Sequence, residues 1–307
     1  MNHAVSLVCS SSIILVASLS AFSSGAVFFL TEDHEVFGEI IQYETLTRSE
    51  KLLDLAKRYH VGYDELILAN PGIDSRYPGP GKQLIIPTSW ILPEIPLDLQ
   101  TADTGYILIN LAEYRLYLTK REGPFLSVIP FPIGIGRKGF ETPAGRYTIA
   151  QKLKDPAWII PPSFREEFPD LPDVVPPGPD NPIGKYALSL SSPGFLIHET
   201  KSMLGVGRKV SHGCIRMLPE DMEMLFSLVY EGYPVIIVNQ PVKIGMKDRT
   251  PYIEVHRDYL SSRDLLLLAV DMLKERNLIK TIDPDTLHQA IAEKRGFPVP
   301  LISAKRE

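Results

Sequence analysis

Ser211-His212-Gly213-Cys214 is the stretch of this chain most able to do chemistry. Cys214 is one of two cysteines; the other, Cys9, lies in an apolar N-terminal segment without a single Asp, Glu, Lys or Arg. If that segment is removed on export, Cys214 has no partner for an internal disulfide. A lone cysteine beside a histidine in an oxidising compartment reads as a nucleophile. A free thiol ionises near ~8.5 and needs an imidazole, a cation or oriented amides to become reactive at neutral pH. Two histidines are available. His212 stands two residues before the thiol, and His198 closes the apolar run Gly194 to Ile197. A strand ending at His198, followed by a loop returning to His-Gly-Cys, can bring imidazole and thiol together. Gly213 permits a tight turn that aims the Gly213 and Cys214 amides at a developing oxyanion. Arg216 keeps its charge and can grip a substrate carboxylate bidentately.

Blander readings exist for each residue. A buried cysteine is often an inert small hydrophobe, and Arg216 can pair with an acid of the fold. His198, His212 and Cys214 could form a metal site, but a fourth ligand and a carboxylate base are missing. No metal or cofactor is therefore expected. His34, His60, His256 and His288 read as surface or satisfied core residues.

The elements that must position these groups follow from composition and pattern. The 307 residues are 44% hydrophobic and 22% charged with a formal net charge of −5, an ordinary globular balance that argues against nucleic acid as a partner. Residues Tyr106–Asn110 and Tyr114–Thr119 alternate around a short polar turn, which predicts a hairpin. Further strands are expected at Phe125–Phe131, Gly145–Gln151, Tyr186–Leu190, Gly194–His198 and Val235–Val238. Many short strands between Gly/Pro turns indicate a mainly β sandwich or barrel. One helix interrupts it, with Met222, Leu225, Phe226 and Val229 on one face, Pro219 in the first turn and Gly232 at C′. Residues 155–184 hold nine prolines and the apolar anchors Trp158, Ile159, Phe164 and Phe168. A loop that long is expected to act as a lid or binding loop.

Residues 1–26 read as a signal peptide with a cleavage site after Ala26; the alternative is an uncleaved membrane anchor prolonged by Val27 to Leu30. Either way the remainder is exported. Residues 39–88 follow the order strand, helix, helix, strand. Glu39–Tyr43 and Gln83–Ile86 are the strands, Thr47 and Glu50 have capping-box spacing, and Asn70-Pro71-Gly72 ends the second helix. Residues 89–103 read as an extended linker. Residues 241–307 read as a two-helix extension, with Asp283-Pro284 capping the second helix.

Residues 39–88 resemble a LysM domain through Leu52 to Ala56, Asp64-Glu65-Leu66, Ala69-Asn70-Pro71 and the Gly81 to Pro87 ending; Tyr43-Glu44-Thr45-Leu46 stands where a Gly-Asp-Thr-Leu type start is common. The resemblance implies binding of N-acetylglucosamine-containing glycans, against a simple βααβ spacer. Residues 104–240 resemble the L,D-transpeptidase catalytic domain of the periplasmic Gram-negative branch. That likeness rests on His198, the gap 199–210 and Ser211 to Arg216. Ile109 to Ala112 with Arg115 to Tyr117, Pro132 to Gly136, Glu141 to Gly145 and Pro177 to Pro182 extend it. It implies Cys214 as nucleophile and His198 as general base and acid. It further implies that His212, Gly213 and the Cys214 amide shape the oxyanion site, with Ser211 and Arg216 supporting it and engaging substrate. Glu199 follows the histidine where Gly or Ser is common. A backbone role there tolerates the change; a hydroxyl role does not.

The implied reaction cleaves the meso-diaminopimelate–D-Ala bond of a peptidoglycan tetrapeptide stem. The acyl group passes to an amine, either of another stem or of a lysine on a Braun-type lipoprotein. The implied location is the periplasm, with membrane contact only if the N-terminal segment stays uncleaved. Competing readings are an L,D-carboxypeptidase that uses water, and a catalytically silent peptidoglycan-binding protein.

Overall fold

A computed structural model describes residues 25–31, 34–95, 105–260 and 263–302. Cys9, most of the expected signal peptide and the second part of the expected linker lie outside these residues. The fold is mainly β. Nine strands form one sheet in the order Phe28–Leu30, Phe125–Pro132, Arg115–Glu122, Tyr106–Asn110, Pro234–Val238, Gly145–Lys154, Tyr186–Leu190, Leu196–Glu199 and Ile215–Met217. Among the described residues the sheet stays open, so the barrel alternative does not hold. Both faces are covered. Ile107, Ile109, Leu116 and Leu118 face one core, while Tyr106, Leu108 and Tyr117 face another. That is why both sets of alternating positions in the first hairpin are apolar. Val27 does not begin a membrane span: it leads into the edge strand Phe28–Leu30, which pairs with Leu126–Val128. No helix among the described residues is long and apolar enough to cross a membrane.

At the opposite edge, Leu196–Glu199 pairs in parallel with Ile215–Met217, in the register Ile197 to Ile215 and His198 to Arg216. Parallel neighbours require a crossover. Residues 200–214 supply it, through a 3-10 turn at Met203–Gly205 and a short strand Lys209–Ser211 paired with Ile135–Gly136. The helix Pro219–Leu228 then packs Met222 and Leu225 into the main core. It stops earlier than its pattern suggests. Val229 is already extended, and Gly232 (φ 91°) serves a turn whose amide donates to the Ile149 carbonyl at 2.7 Å. A second helix, Pro162–Glu167, lies inside the 155–184 loop, which also pairs Trp158–Ile159 with Val174–Val175.

The N-terminal unit packs helices Leu52–Arg58 and Tyr63–Ala69 on the antiparallel pair Ile41–Glu44 and Gln83–Ile86. The expected Thr47–Glu50 capping box does not form. Lys51 is the N-cap, and Glu50 accepts from the Tyr43 hydroxyl (2.6 Å) and the Leu46 amide (3.0 Å) instead. Tyr43 is a stronger local partner than a helix end two residues away. The linker also begins as structure: Ser89–Ile91 pairs with Val36–Gly38, and Trp90 packs beside Phe37 over the outer face of the main sheet. An exposed aromatic sheet face needs such a cover.

The C-terminal residues contain the two expected helices, Leu265–Glu275 and Pro284–Glu293, capped by Asp264 and Asp283. They also contain a three-stranded sheet, Val242–Lys247, Thr250–Val255 and Val299–Pro300, that the pattern did not announce. Its hairpin turns at Asp248 and Arg249, both with positive φ (51° and 62°). The usual Asn-Gly or Asp-Gly signal is absent, so the turn is hidden in the sequence.

Buried charges join the units. Arg115 is fully buried in the main sheet, and its Nη2 donates to both carboxylate oxygens of Glu65 of the N-terminal unit at 2.5 and 2.6 Å, with the Trp90 ring 4.5 Å from its guanidinium. Glu65 also accepts the Gly62 amide at 2.9 Å and so caps its own helix. Glu65→Ala leaves Arg115 buried without its hydrogen-bonded counter-charge. Its expected cost is about 3–5 kcal/mol, read as a lower urea midpoint; an unchanged midpoint would show that water reaches Arg115.

Candidate active site

The parallel edge places His198 and Arg216 side by side, with Cys214 just before its strand. The His198 Nδ1–H donates to the Glu199 backbone carbonyl at 2.8 Å. A carbonyl can only accept, so the proton sits on Nδ1 and Nε2 keeps its lone pair. The Glu199 side chain does something else: it is buried and accepts the Tyr186 amide at 3.1 Å. Glu199 therefore orients the imidazole through its backbone carbonyl, the role at this position that does not depend on the side chain.

Cys214 Sγ lies 3.7 Å from the Gly194 carbonyl. No hydrogen bond joins it to His198 among the described residues. Burial raises the thiol pKa against the opposing effects of the Leu196 amide and Arg216. Burial and the Arg216 charge together push His198 down to about 4. Both shifts disfavour a thiolate–imidazolium pair and favour a neutral one.

Ser211 and Gly213 form a clamp. The Ser211 hydroxyl donates to the Cys214 carbonyl and accepts the Gly213 amide at 3.2 Å. The Gly213 amide is thus occupied rather than aimed at an oxyanion, as its spacing had suggested. The Cys214 amide carries no hydrogen bond among the described residues. Gly213 has φ 100°, and a Cβ there would come within 2.9 Å of the Phe195 ring. The site needs glycine for both reasons.

His212 faces the long loop. Its ring sits between Phe140 (centroids 4.3 Å apart) and Phe164 (4.0 Å), and its Nε2 lies 2.9 Å from both Glu167 and Arg137. Arg137 and Glu167 also pair with each other. The helix Pro162–Glu167 is thereby latched over the motif. Arg216 forms no ion pair among the described residues, and it lines a cleft of about 300 Å³ with Asp180, Asn181, Glu199, Thr200 and Lys201. The sequence marked Thr142 only as part of Glu141 to Gly145 and gave it no role; it is buried and donates to the Gly213 carbonyl at 2.8 Å. Sequence reasoning missed Arg137 and Glu167. Nothing in their local patterns marks these contacts, although the aromatic anchors of the loop hinted at docking.

The Glu113, Glu254 and His256 side chains converge elsewhere, in a buried cluster. Lys243 fills it, 2.7 Å from Glu113 and 2.8 Å from Glu254. Burial pushes Glu254 up, but Lys243 and the His256 hydrogen bond outweigh it and hold the carboxyl below its ordinary value.

The open, mainly β sheet thus carries His198 on Leu196–Glu199 and Cys214 immediately before the neighbouring edge strand Ile215–Met217, a cysteine and a histidine of the residue types that acyl transfer uses. Two family models match the chain: the YkuD L,D-transpeptidase catalytic domain over residues 104–237 and the LysM domain over residues 51–87. The chain is 35% identical over 272 residues to the "Probable L,D-transpeptidase ErfK/SrfK" of Escherichia coli, covering 84% of each protein. It is 35% identical over 260 residues to the "Probable L,D-transpeptidase YcfS" of the same organism, covering 80% of this chain and 78% of that one. The solved Mycobacterium tuberculosis L,D-transpeptidase 3 overlaps 44% of this chain and 60% of that one, with 21% identity and a TM-score of 0.33. The chain belongs to the L,D-transpeptidase family. Its two domains imply peptidoglycan as ligand and substrate.

A neutral resting pair has a direct signature. Alkylation of Cys214 by iodoacetamide should be slow near neutral pH and should climb only above the ordinary thiol range. A rate already at its plateau near neutrality contradicts the neutral pair. The sign for stability follows from His198, whose folded value of about 4 lies below an unfolded value near ~6.5. The unfolded chain binds the proton first, so melting temperature should fall as pH drops across that interval.

Proposed function

We propose that Cys214 attacks the meso-diaminopimelate–D-Ala bond of a tetrapeptide stem and passes the acyl group to an amine. The observation that supports this reading is the His198 Nδ1–Glu199 carbonyl hydrogen bond, which leaves Nε2 as the nitrogen able to take a proton, on a strand paired with the one that Cys214 precedes. Sγ bonds to the carbonyl carbon as its proton passes to Nε2. The tetrahedral oxyanion is met by the Cys214 amide. D-Ala leaves with the proton from His198, and a thioester remains. An incoming amine then gives its proton to His198 and attacks the thioester; the carbon–sulfur bond breaks, and Sγ leaves with the proton from His198, which restores the starting pair. The covalent intermediate divides one hard transfer into two easier ones. Arg216, in no ion pair of the fold, suits a stem carboxylate entering its cleft. The LysM-like unit holds N-acetylglucosamine-containing glycan. Export through residues 1–26 places the enzyme in the periplasm.

The acceptor is an amine of a second stem or a lysine of a Braun-type lipoprotein. Because burial favours the protonated thiol, slow alkylation does not by itself favour a silent binding protein; products decide. Incubation with disaccharide-tetrapeptide, with and without a lipoprotein C-terminal peptide, should release D-Ala and yield a stem–acceptor conjugate by mass spectrometry. Free tripeptide alone makes the protein a hydrolase, and no turnover at all makes it a binder. Arg216→Gln should lower kcat/KM by about 10- to 100-fold, the usual cost of a lost hydrogen bond to a charged group.

A further inference from the structure

Tyr259 stands beyond the catalytic domain, in the C-terminal extension, yet it reaches back into the site. Its hydroxyl donates to the Gly136 carbonyl at 2.6 Å, and its ring packs against the main core. The Gly136 amide donates to Thr142 Oγ1 at 2.9 Å, and Thr142 Oγ1 donates to the Gly213 carbonyl at 2.8 Å. The Gly213 amide then donates to Ser211 Oγ, which donates to the Cys214 carbonyl. Both backbone polar groups of Gly213 are therefore fixed by one chain of hydrogen bonds that ends on Tyr259.

The anchor is itself held. Asp258 accepts from Asn239 Nδ2 at 2.6 Å and from Arg263 Nε at 2.7 Å, and Arg263 also donates to the Asn239 carbonyl at 2.9 Å. Asn239 directly follows the strand Pro234–Val238, so the segment around Tyr259 is tied to the middle of the sheet. Lys209, on the short strand entering Ser211, places its ammonium 4.9 Å over the Tyr259 ring. The turn needs such support. Gly213 lies in the left-handed region at φ 100°, where its lack of a side chain leaves packing unable to hold it.

We propose that Tyr259 is a positioning residue, setting the Gly213–Cys214 turn through Gly136 and Thr142 and giving the C-terminal extension a part in the reaction. The inference rests on Cys214 being the nucleophile. It differs from a merely stabilising role because the chain ends on the backbone of the reacting residue.

Tyr259→Phe removes one hydroxyl and keeps the ring. It should lower kcat about fivefold, the usual worth of one hydrogen bond, with KM and melting temperature nearly unchanged. Thr142→Val should lower kcat further, since it orphans a buried amide and a buried carbonyl, while Thr142→Ser should restore it. The double variant Tyr259→Phe/Thr142→Val should be no slower than Thr142→Val alone, because the chain is already cut. Ile253→Val, in the core of the extension, should lower melting temperature without touching kcat. Cys214 alkylation at fixed pH gives a readout that needs no turnover, and Tyr259→Phe should shift its rate. Wild-type kcat and alkylation rate in Tyr259→Phe, or strictly additive losses in the double variant, overturn the proposal. A wild-type protein without turnover whose alkylation still responds to Tyr259→Phe overturns the transfer reading and keeps the positioning role.

Discussion

Arg115 has no exposure to water, and its counter-charge is Glu65 of a different unit. A buried guanidinium cannot shed its proton, so this geometry demands that the N-terminal unit dock in one place. The docking then brings further complementary contacts into register. Asp64 meets Arg208 at 3.2 Å, His60 meets Asp221 at 2.8 Å, and Gly62 approaches Gly207 so closely that a Cβ on either would strike the other's backbone. Lys243 performs the same service for the C-terminal extension by entering the Glu113–Glu254 cluster. Ion pairs of this kind add little net stability against well-packed apolar groups, but a wrong arrangement strands charges at a cost of several kcal/mol, roughly 3–5. They specify one assembly of three units.

That assembly bears on the site because the N-terminal unit touches the crossover that delivers the catalytic motif. Met203 packs against its core, and Arg208 pairs with it one residue before the strand that carries Ser211. In the proposed reading, glycan held by this unit is presented to Cys214 in a fixed orientation rather than on a loose tether. The loop 155–184 closes the other side through His212. Between them, the motif is held by its crossover, its lid and the hydrogen bonds beneath Gly213. Burial disfavours the charged forms of both the thiol and the imidazole, and the thiolate is the form that oxidants and disulfides meet.

Much of this was legible in the residues. Tyr186–Leu190 and Gln83–Ile86 are strands over the limits that alternation and turn residues set, and Asp283 caps its helix as the Asp-Pro pair suggests. The grouping of His198, Cys214 and Arg216 follows from a strand that ends, crosses over and returns. What stayed hidden was contact between distant segments. Tyr259 and Gly136 are 123 residues apart, Gly213 and Thr142 are 71 apart, and Glu167 and His212 are 45 apart. Such pairs leave no periodicity to read. The C-terminal sheet was hidden for a local reason, a hairpin turned by Asp248 and Arg249 without glycine. Glu50 shows the reverse error, where capping-box spacing was present but Tyr43 claimed the carboxylate.

The central claim is that Cys214 carries the acyl group through a thioester while His198 moves the proton. Intact-protein mass spectrometry after rapid acid quench, with the tetrapeptide as donor and no acceptor amine, tests it most directly. The account expects one adduct per chain equal to the stem less D-Ala, mapped to the peptide containing Cys214 and lost in Cys214→Ala. An adduct of equal mass on another residue, or product formation without any adduct in the presence of a reactive Cys214, would contradict it.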